Sequence, residues 1–581
     1  MERLTVAWKP IQQFDATFKL LGSYYHNNSS TGNDGFPSCQ LPGGPYYTGA
    51  LGGKWQDTGA ACPSTNSNDA TVPAPVLSHF FQAPADGRYY TLTQNLLGSV
   101  TLNYRLPHIT FTSVSGYYKL KASEFGNYDS TIFAETPDYQ SEQTHVFTQE
   151  LRAQTDFDFP INFTVGGFFE HERRYLWNSN RIFLLGPLPA GLTGQTAYAG
   201  VSNSMIGRDD NWAEDFSFFG AFTWKIMNNL ELSGGGRWTD AHKKSSLAQL
   251  EQAIDQLYGP YNVAQMYSGL TPAGTVYNIE TRYQNFSPEV TLSWHFNKNM
   301  MLYAAYKTGF LPGGIANPGV VTNYLVYNNG VYDPVATQAK VQSNLTFRPE
   351  KVKGEEIGLK GAMFDGRLSG DLTLFHYTYY QLQVATFHAD TTTFSIGNAG
   401  SAIDQGVEIN LNYVADDHLS LRGSLTYVPL RYSSFPGSQC YSGQTVATGC
   451  IPDSKNPSQS FQDLSHKHFG GPPLSINLGA TYDTEITPVY SLALNTDVEI
   501  YDSAPLVNGA PNTSTPAHAV ANLTARVYQT RGPWSVSLIG TNINNDRTLA
   551  VTGAKPLGLP QDLWGASPPG REIRLQADYR F

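Results

Sequence analysis

The sequence predicts an all-β protein, a large antiparallel β-barrel that crosses a membrane. Three observations indicate this fold class: long segments that alternate apolar and polar residues, short turns that alternate with long polar loops, and a composition poor in charge but rich in tyrosine. Successive side chains of a strand point to opposite faces, so a period of two indicates strands. A membrane barrel turns one face of each strand to lipid and the other to a polar interior.

Composition favours a membrane barrel over other classes. The chain has 581 residues, of which 13% are aromatic and 15% charged, whereas about 25% charged residues is typical of globular proteins. Mean hydropathy is −0.32 and no run of about 18 apolar residues occurs, so helical membrane spans are not expected. The net charge of −11 argues against a nucleic-acid partner. Residues 1–8 lack the pattern of a signal peptide.

Short stretches rich in Pro, Gly, Asn or Asp separate the alternating segments and predict tight turns. They are 9–13, 106–108, 157–160, 225–229, 296–299, 364–367, 415–418, 484–488 and 529–533. Long polar connections lie between them, for example 27–86, 176–208, 245–278, 311–348 and 433–468. Short turns at one rim and long loops at the other are typical of outer-membrane barrels, whose short turns face the periplasm.

The alternating segments are long enough to cross a membrane. The segment 490–500 alternates over its whole length, and a membrane strand needs about nine to eleven residues, against five or six in globular proteins. Aromatic residues near the turns are predicted to form interfacial girdles. They are Trp8, Phe14, Trp224, Trp294 and Trp534. A soluble propeller would also alternate, but its repeat of roughly 40 to 50 residues is not present.

The C-terminal segment 572–581 predicts the last strand of the barrel. Its odd positions are all apolar, and its even positions are all polar or charged. The apolar set is Ile573, Leu575, Ala577, Tyr579 and Phe581. The hairpins and this strand make about nineteen strands, an odd number, whereas bacterial single-chain barrels close antiparallel with even numbers. We therefore expect further strands before Met1 in a longer protein, and an open edge at the last strand of this one.

Several motifs resemble those of TonB-dependent receptors. The segment 348–360, the turn 364–367 and a following strand with Phe375 and Tyr377 are similar to the central barrel signature of that family. Segments 398–408, 541–545 and 568–581 resemble its later elements, with Ile-Asn-Asn where Leu-Phe-Asp is usual. The signature residues are Pro349, Glu350, Glu356, Gly358, Lys360, Asn398, Gly400, Gly406, Glu408, Asn542, Arg571 and Phe581.

The resemblance implies a barrel of about 22 strands filled by a plug domain. Residues 1–581 would then be the barrel domain, with the plug, TonB box, signal peptide and first strands outside this sequence. The implied function is energy-coupled uptake of a scarce ligand such as a ferric siderophore, although cobalamin, haem and oligosaccharides are also ligands of this family. The implied partners are outer-membrane lipid, the TonB–ExbB–ExbD complex and, through the C-terminal strand, the barrel-assembly machinery. A monomer is expected.

Two other functions stay open: a passive porin-like channel and a truncated receptor without function. An upstream plug sequence would distinguish the receptor from the channel. An enzyme is not expected, because the sequence has no Gly-x-Ser-x-Gly elbow, His-Glu-x-x-His or P-loop motif. No cofactor is expected.

Candidate cross-links and ligand contacts lie in the long loops. Cys39 and Cys62 share one polar stretch and Cys440 and Cys450 another, without zinc-site spacing, so two disulfides are predicted and four free thiols are the alternative. Tyr324 and Tyr327 can stack on an aromatic siderophore or a sugar, but loop packing is the preferred interpretation. His466 and His468 would share a face of a strand and contact a metal, yet a solvated loop end is favoured because two His are too few for a closed site.

Charged residues on the inward face of the strands are the remaining candidates. Arg152, Arg422, Glu408 and Glu499 are expected to point into the barrel and to pair with the plug or with one another, because buried charge needs partners.

Overall fold

The computed structural model describes most of the chain. The described residues are 2–28, 46–48, 54–56, 84, 86–127, 137–183, 202–253, 275–316, 325–388, 393–441, 444–452, 454, 460–507, 509–510, 513–548, 551–554, 563–566 and 568–580. Almost all regular structure is β, and a single antiparallel sheet of twenty strands contains most of it. The predicted fold class is confirmed.

The twenty strands follow one another around the sheet in chain order. They are β1 (Glu2–Ile11), β2 (Phe14–Asn27), β3 (Tyr90–Leu106), β4 (Ile109–Asn127), β5 (Pro137–Thr155), β6 (Ile161–Phe183), β7 (Ser202–Met227), β8 (Leu230–Ala253), β9 (Val276–Asn297), β10 (Met300–Leu311), β11 (Glu350–Met363), β12 (Leu368–Tyr380), β13 (Ser401–Val414), β14 (Leu419–Tyr427), β15 (Arg431–Ser434), β16 (Leu474–Glu485), β17 (Tyr490–Tyr501), β18 (His518–Gln529), β19 (Trp534–Thr541) and β20 (Glu572–Tyr579). Strands β14 and β15 both pair with β13 and form one interrupted crossing, so the twenty strands make about the nineteen crossings predicted.

Each predicted tight turn joins two paired neighbours. The turn 298–299 joins β9 to β10, for example, and Phe364, Asp365 and Gly366 of another turn all have positive φ. The predicted long loops begin too early, however. Strands β6 and β7 stay paired as far as Phe183 and Ser202, and β8 and β9 continue past Ser245 and Asn278. The sequence in these extensions mixes apolar and polar residues on both faces without a regular period of two, so apolar alternation does not reveal them.

Apolar side chains cover the outward face of the sheet next to the tight turns. On β9, Phe286 is 62% exposed, and Val290, Leu292 and Trp294 on the same face are also exposed. The predicted aromatic girdle lies at the turn ends of the strands. There the ring centroids of Trp8 and Phe14 are 5.9 Å apart. Lipid solvates such a face, so its exposure is the expected state of a membrane barrel.

The two ends of the sheet have one partner each. Strand β1 pairs with β2, and β20 pairs with β19, with no second partner for either in the part of the chain that is described. All residues of both strands are exposed. Both strands run toward the tight-turn rim and are therefore parallel to each other.

The loops contain the remaining elements. Helix α1 (Pro334–Asn344) begins at the N-cap Asp333, whose carboxylate accepts the Ala336 N–H at 2.9 Å, and Val341 packs it on the inner side of β8 and β9. Short two-stranded or three-stranded pieces are Tyr46–Thr48, Lys54–Gln56, Gly314–Ile315, Tyr327–Asn328, Val331–Tyr332, Thr346–Phe347, Gln383–His388, Thr393–Asn398, Ser438–Gln439, Ile451–Pro452, Ser460–Gln462, Ala504–Pro505, Ser514–Thr515, Val551–Ala554 and Leu563–Ala566; Val446–Thr448 is a 3₁₀ turn. No helix among the described residues is long and apolar enough to cross a membrane.

Candidate functional site

A cavity of about 590 Å³ lies where the outer loops meet the inner wall of β5 to β8. Its wall carries both signs of charge, from acidic residues on β6 and β7 and basic residues on β6 and β8. The charged wall residues that point inward are Glu170, Glu172, Arg174, Asp209, Asp215 and Lys243. Apolar loop residues close it from the opposite side, namely Ile315, Phe347, Ala385 and Ile396. Its size is within the range of small-molecule sites, about 300 to 1,000 Å³.

Hydrogen bonds hold part of this wall in place. The Arg174 guanidinium donates to Glu142 across β5 and β6 at 3.0 Å, and the Ser245 hydroxyl donates to Asp209 at 2.5 Å. Asp209 lies about 18 residues above the tight turn, roughly 59 Å along the strand and outside the membrane. Burial raises the pKa of the Asp209 carboxyl, and hydrogen bonds from Ser245 and Asn211 oppose that rise.

Two polar atoms of the wall have no partner. Nε of Arg174 and Oδ1 of Asp215 are buried and make no hydrogen bond within the described residues. A buried polar atom without a partner costs about 1 to 3 kcal/mol of stability. A ligand or an ordered water that forms a hydrogen bond to such an atom therefore gains the most binding free energy. Both residues line the cavity, so its wall contains a guanidinium and a carboxylate whose hydrogen-bonding capacity the protein does not fully use.

A loop hairpin, Gln383–His388 with Thr393–Asn398, contributes Ala385 and Ile396 to the cavity. The amide of Asn398 ties the base of this hairpin to its surroundings. It accepts the Arg348 N–H at 2.7 Å and donates to the carbonyls of Arg348 and Gln381 at 2.9 and 2.8 Å. The Glu350 carboxylate accepts the Gln383 N–H at 2.7 Å. The signature residues Asn398 and Glu350 therefore position the hairpin that covers the cavity, which is called its roof below.

Other inward charges pair with one another farther around the sheet. Lys307 on β10 donates to Glu356 on β11 at 2.9 Å, and the Tyr377 hydroxyl donates to the same carboxylate. Arg422 forms an ion pair with Asp497, Arg152 with Glu150, and Glu499 accepts from Tyr501. The signature residue Lys360 lies 5.2 Å from the ring of Tyr303, which covers Gly358.

The C-terminal signature residues form a turn before β20. The Asn542 side chain donates to the carbonyls of Asp546 and Pro569 at 2.8 and 3.1 Å, and the Arg571 N–H donates to Asn545 at 3.1 Å. Positive φ angles at Asn542 and Asn545 suit asparagine, which tolerates the left-handed region. The other signature residues frame strands: Pro349 precedes β11, Gly400 precedes β13, and Gly406 and Glu408 lie within β13.

Of the residues proposed as ligand contacts, the three that the structure describes, Tyr327, His466 and His468, do not line the cavity. Tyr327 is exposed in a short hairpin, with its ring 5.9 Å from that of Tyr332. The premise that His466 and His468 share a strand face is wrong. His466 lies in a turn with φ +67°, His468 makes only an isolated bridge with Arg431, and no cluster of potential metal ligands occurs among the described residues. The two-residue spacing of the histidines suggested a strand, but the Gly/Pro-rich segment that follows them directly favours a turn.

Only one of the two cysteine pairs lies among the described residues. Cys440 and Cys450 form a disulfide with an S–S distance of 2.10 Å. Cys39, Cys62, Tyr324 and Phe581 lie outside the described residues.

Sequence reasoning missed the cavity residues Arg174, Asp209 and Asp215. Their signal was present but weak: Glu170, Glu172 and Arg174 occupy three successive inward positions of β6. Such a pattern is equally typical of a solvated extension beyond the membrane.

A family model and a relative found by sequence comparison indicate the same family. The family model described as "TonB dependent receptor-like, beta-barrel" matches residues 24–545. The "Ferric-pyoverdine M114 receptor PbuA" of Pseudomonas sp. (strain M114) is 23% identical over 273 residues, which is 47% of this chain but only 27% of the length of that receptor.

Solved structures share the fold. The ferric yersiniabactin uptake receptor FyuA from Yersinia pestis aligns with a TM-score of 0.62 at 12% identity, covering 100% of this chain and 77% of that one. The siderophore receptor PiuA from Acinetobacter baumannii aligns with a TM-score of 0.63 at 15% identity, covering 99% and 73%.

Proposed function

Because this chain belongs to the TonB-dependent receptor β-barrel family, and the bacterial outer membrane is where it resides, we propose that it forms the barrel of a receptor that imports a ferric siderophore. The names of the relatives support this ligand class: one is a ferric-pyoverdine receptor and one a ferric-yersiniabactin receptor. Energy would come from the TonB–ExbB–ExbD complex acting through a plug domain, as the family resemblance implies. The proposed role is transport, without catalysis.

The observation that carries the proposal is the cavity under the outer loops. It combines unpaired polar atoms on Arg174 and Asp215 with an apolar roof that includes Phe347 and Ile396. Ferric siderophores are polar chelates with exposed oxygen atoms and apolar or aromatic parts, so they need both kinds of contact. Arginine suits oxygen-rich ligands because its fork of donors matches them in geometry.

The test is ligand binding by the full chain in detergent or nanodiscs. Tryptophan fluorescence quenching would be measured against a panel of ferric catecholate, hydroxamate, carboxylate and mixed chelates. We expect one class to bind in the micromolar range or tighter. Arg174→Gln with Asp215→Asn should weaken that binding at least about tenfold, because each lost hydrogen bond to a charged group costs about 1.5 to 3 kcal/mol and tenfold corresponds to about 1.4 kcal/mol.

Arg526→Gln is the matched control. Arg526 also points inward, on β18, where its guanidinium lies 5.1 Å from the ring of Tyr528 and outside the cavity. Equal weakening by both variants would reject the cavity as the binding site. Absence of binding by every ferric chelate would reject the proposed ligand class.

A further inference from the structure

Two carboxylates face each other on the wall of the cavity. Glu170 on β6 and Asp215 on β7 occupy directly opposite positions of the strand register, and both line the cavity. Directly opposite residues of an antiparallel pair have their Cβ atoms about 5 Å apart, and like charges in these positions destabilise the sheet. Strand pairing alone therefore does not favour this couple of residues, which is named the acidic pair.

The acidic pair is an exception within the sheet. No other two Asp or Glu residues are directly opposite each other in the strand pairs that the structure describes. Charges in opposite positions elsewhere have opposite signs. Glu214 is opposite His171, with Oε1 3.3 Å from Nδ1, and Glu280 is opposite Lys244, with Oε1 3.4 Å from Nζ.

Neither carboxylate of the acidic pair has a partner within the described residues. Glu170 and Asp215 form no hydrogen bond and no ion pair there, and Oδ1 of Asp215 is buried from solvent. Lys243 lies on β8 two residues beyond Ala241, which is opposite Asp215, and forms no ion pair with either carboxylate. A buried carboxylate oxygen without a donor is costly, so the acidic pair is suited to receive a cationic donor from a ligand.

The remaining wall of the cavity also has an excess of negative charge. Glu172 and Asp209 line it in addition to the acidic pair, whereas Arg174 and Lys243 are its two inward cations. The Arg174 guanidinium donates to Glu142 on the adjoining strand at 3.0 Å, so one of these cations is already balanced. The roof residues that the structure describes carry no charge. The cavity therefore complements a ligand with positive charge.

An ammonium group fits the acidic pair better than a bare metal ion does. Calcium takes six to eight oxygen ligands, and no group of three or more potential metal ligands occurs among the described residues. An ammonium group has three donors and no acceptor, so it can donate to both carboxylates at once. Hydrogen bonds between two charged groups are about twice as strong as those between neutral groups.

We propose that the cavity selects ferric chelates that carry a positively charged amino group, and that this ammonium lies between Glu170 and Asp215. The inference rests on the proposed function, because it names the charge class of the imported siderophore. Arg174, whose Nε has no partner among the described residues, donates to oxygen atoms of the chelate. The acidic wall repels chelates with a net negative charge.

The test compares two probes that differ only in this charge. Ferric desferrioxamine B has a free ammonium group, and its N-acetylated form has a neutral amide in the same place. Tryptophan fluorescence quenching of the full chain in detergent would measure both dissociation constants. We expect the ammonium form to bind at least about tenfold more tightly, because acetylation removes the charge-assisted hydrogen bonds to the acidic pair.

The variant Glu170→Gln/Asp215→Asn removes both charges and keeps the shape of the wall. It should reduce the preference for the ammonium form to about twofold or less by weakening the binding of that form alone. Binding of the acetylated form should stay within about twofold of the wild type, which also reports that the variant is folded.

Asp497→Asn/Glu499→Gln is the matched control. Both carboxylates also point inward, on β17, where Asp497 pairs with Arg422 and Glu499 accepts from Tyr501, and neither lines the cavity. The control should keep the full preference for the ammonium form. An equal loss of preference in the control would assign the effect to the charge of the whole interior and would overturn the proposal.

The other outcomes separate the charge preference from the receptor function. Equal binding of the two probes by the wild type, or binding confined to chelates without a cationic group, would overturn the charge preference and leave the receptor function standing. Competition by calcium that abolishes the preference would assign the acidic pair to a metal ion and would also overturn it. Absence of binding by every ferric chelate would instead reject the proposed function, and this inference with it.

Discussion

The side-chain amide of Asn398 connects three segments of the structure. Its three hydrogen bonds join the start of β11, the end of β12 and the loop hairpin that covers the cavity. No other side chain type supplies a donor and an acceptor in this planar arrangement except glutamine, whose longer chain would shift both groups.

Asn398→Ala should destabilise the hairpin without unfolding the sheet. Removing the amide leaves the backbone groups of Arg348 and Gln381 without this partner, at a cost of about 1 to 3 kcal/mol. Hydrogen exchange at 383–388 and 393–398 should rise about tenfold or more. Asn410→Ala is the control, because the Asn410 amide makes one exposed contact, to Asp371 at 3.1 Å. Unchanged exchange in Asn398→Ala would show that packing alone holds the hairpin.

At the scale of elements, the disulfide Cys440–Cys450 closes a small loop piece rather than the sheet. It spans ten residues of chain and encloses the 3₁₀ turn Val446–Thr448. Strand β13 and its neighbours make their hydrogen bonds independently of it. Its effect is therefore local.

Reduction, or Cys440→Ser with Cys450→Ser, should raise hydrogen exchange of residues 438–452 and leave β9 protected. The disulfide limits the conformations that the unfolded loop can adopt, and breaking the bond removes this limit. For a loop of about ten residues the entropic stabilisation lost is on the order of 3 kcal/mol. Mass spectrometry after pulse labelling would measure both segments. A fall in the unfolding temperature of the whole sheet would contradict a local role.

At the scale of the whole molecule, the outermost strands of the sheet are its least protected part. Apart from the short β15, every interior strand pairs with a strand on each side, whereas β1 and β20 each have one partner in the described part of the chain. An unpaired strand edge leaves its N–H and C=O groups open to solvent or to another chain.

In the chain as given, we expect β1 and β20 to exchange amide protons faster than β8, which β7 and β9 flank on both sides. The physical reason is that each edge strand loses its amide protection by separating from a single neighbour. Hydrogen exchange in detergent micelles would compare Glu2–Ile11 and Glu572–Tyr579 with Leu230–Ala253. Equal protection of all three would show that both edges are paired in solution.

The sequence by itself determined the strands within the membrane, the tight turns and the family. Lipid on one side and a polar interior on the other impose a strict period of two, and segments such as 572–579 carry that period plainly. Tight turns are equally readable, because Gly, Pro, Asn and Asp are selected for their backbone angles.

Only the tertiary structure decided where the loops return and which polar residues they leave buried. Strand register placed Glu170 opposite Asp215, and the return of the hairpin 383–398 made a cavity of the wall around Arg174 and Asp215. The physical reason is separation along the chain: these contacts join residues tens to hundreds of positions apart. No local periodicity records such pairings.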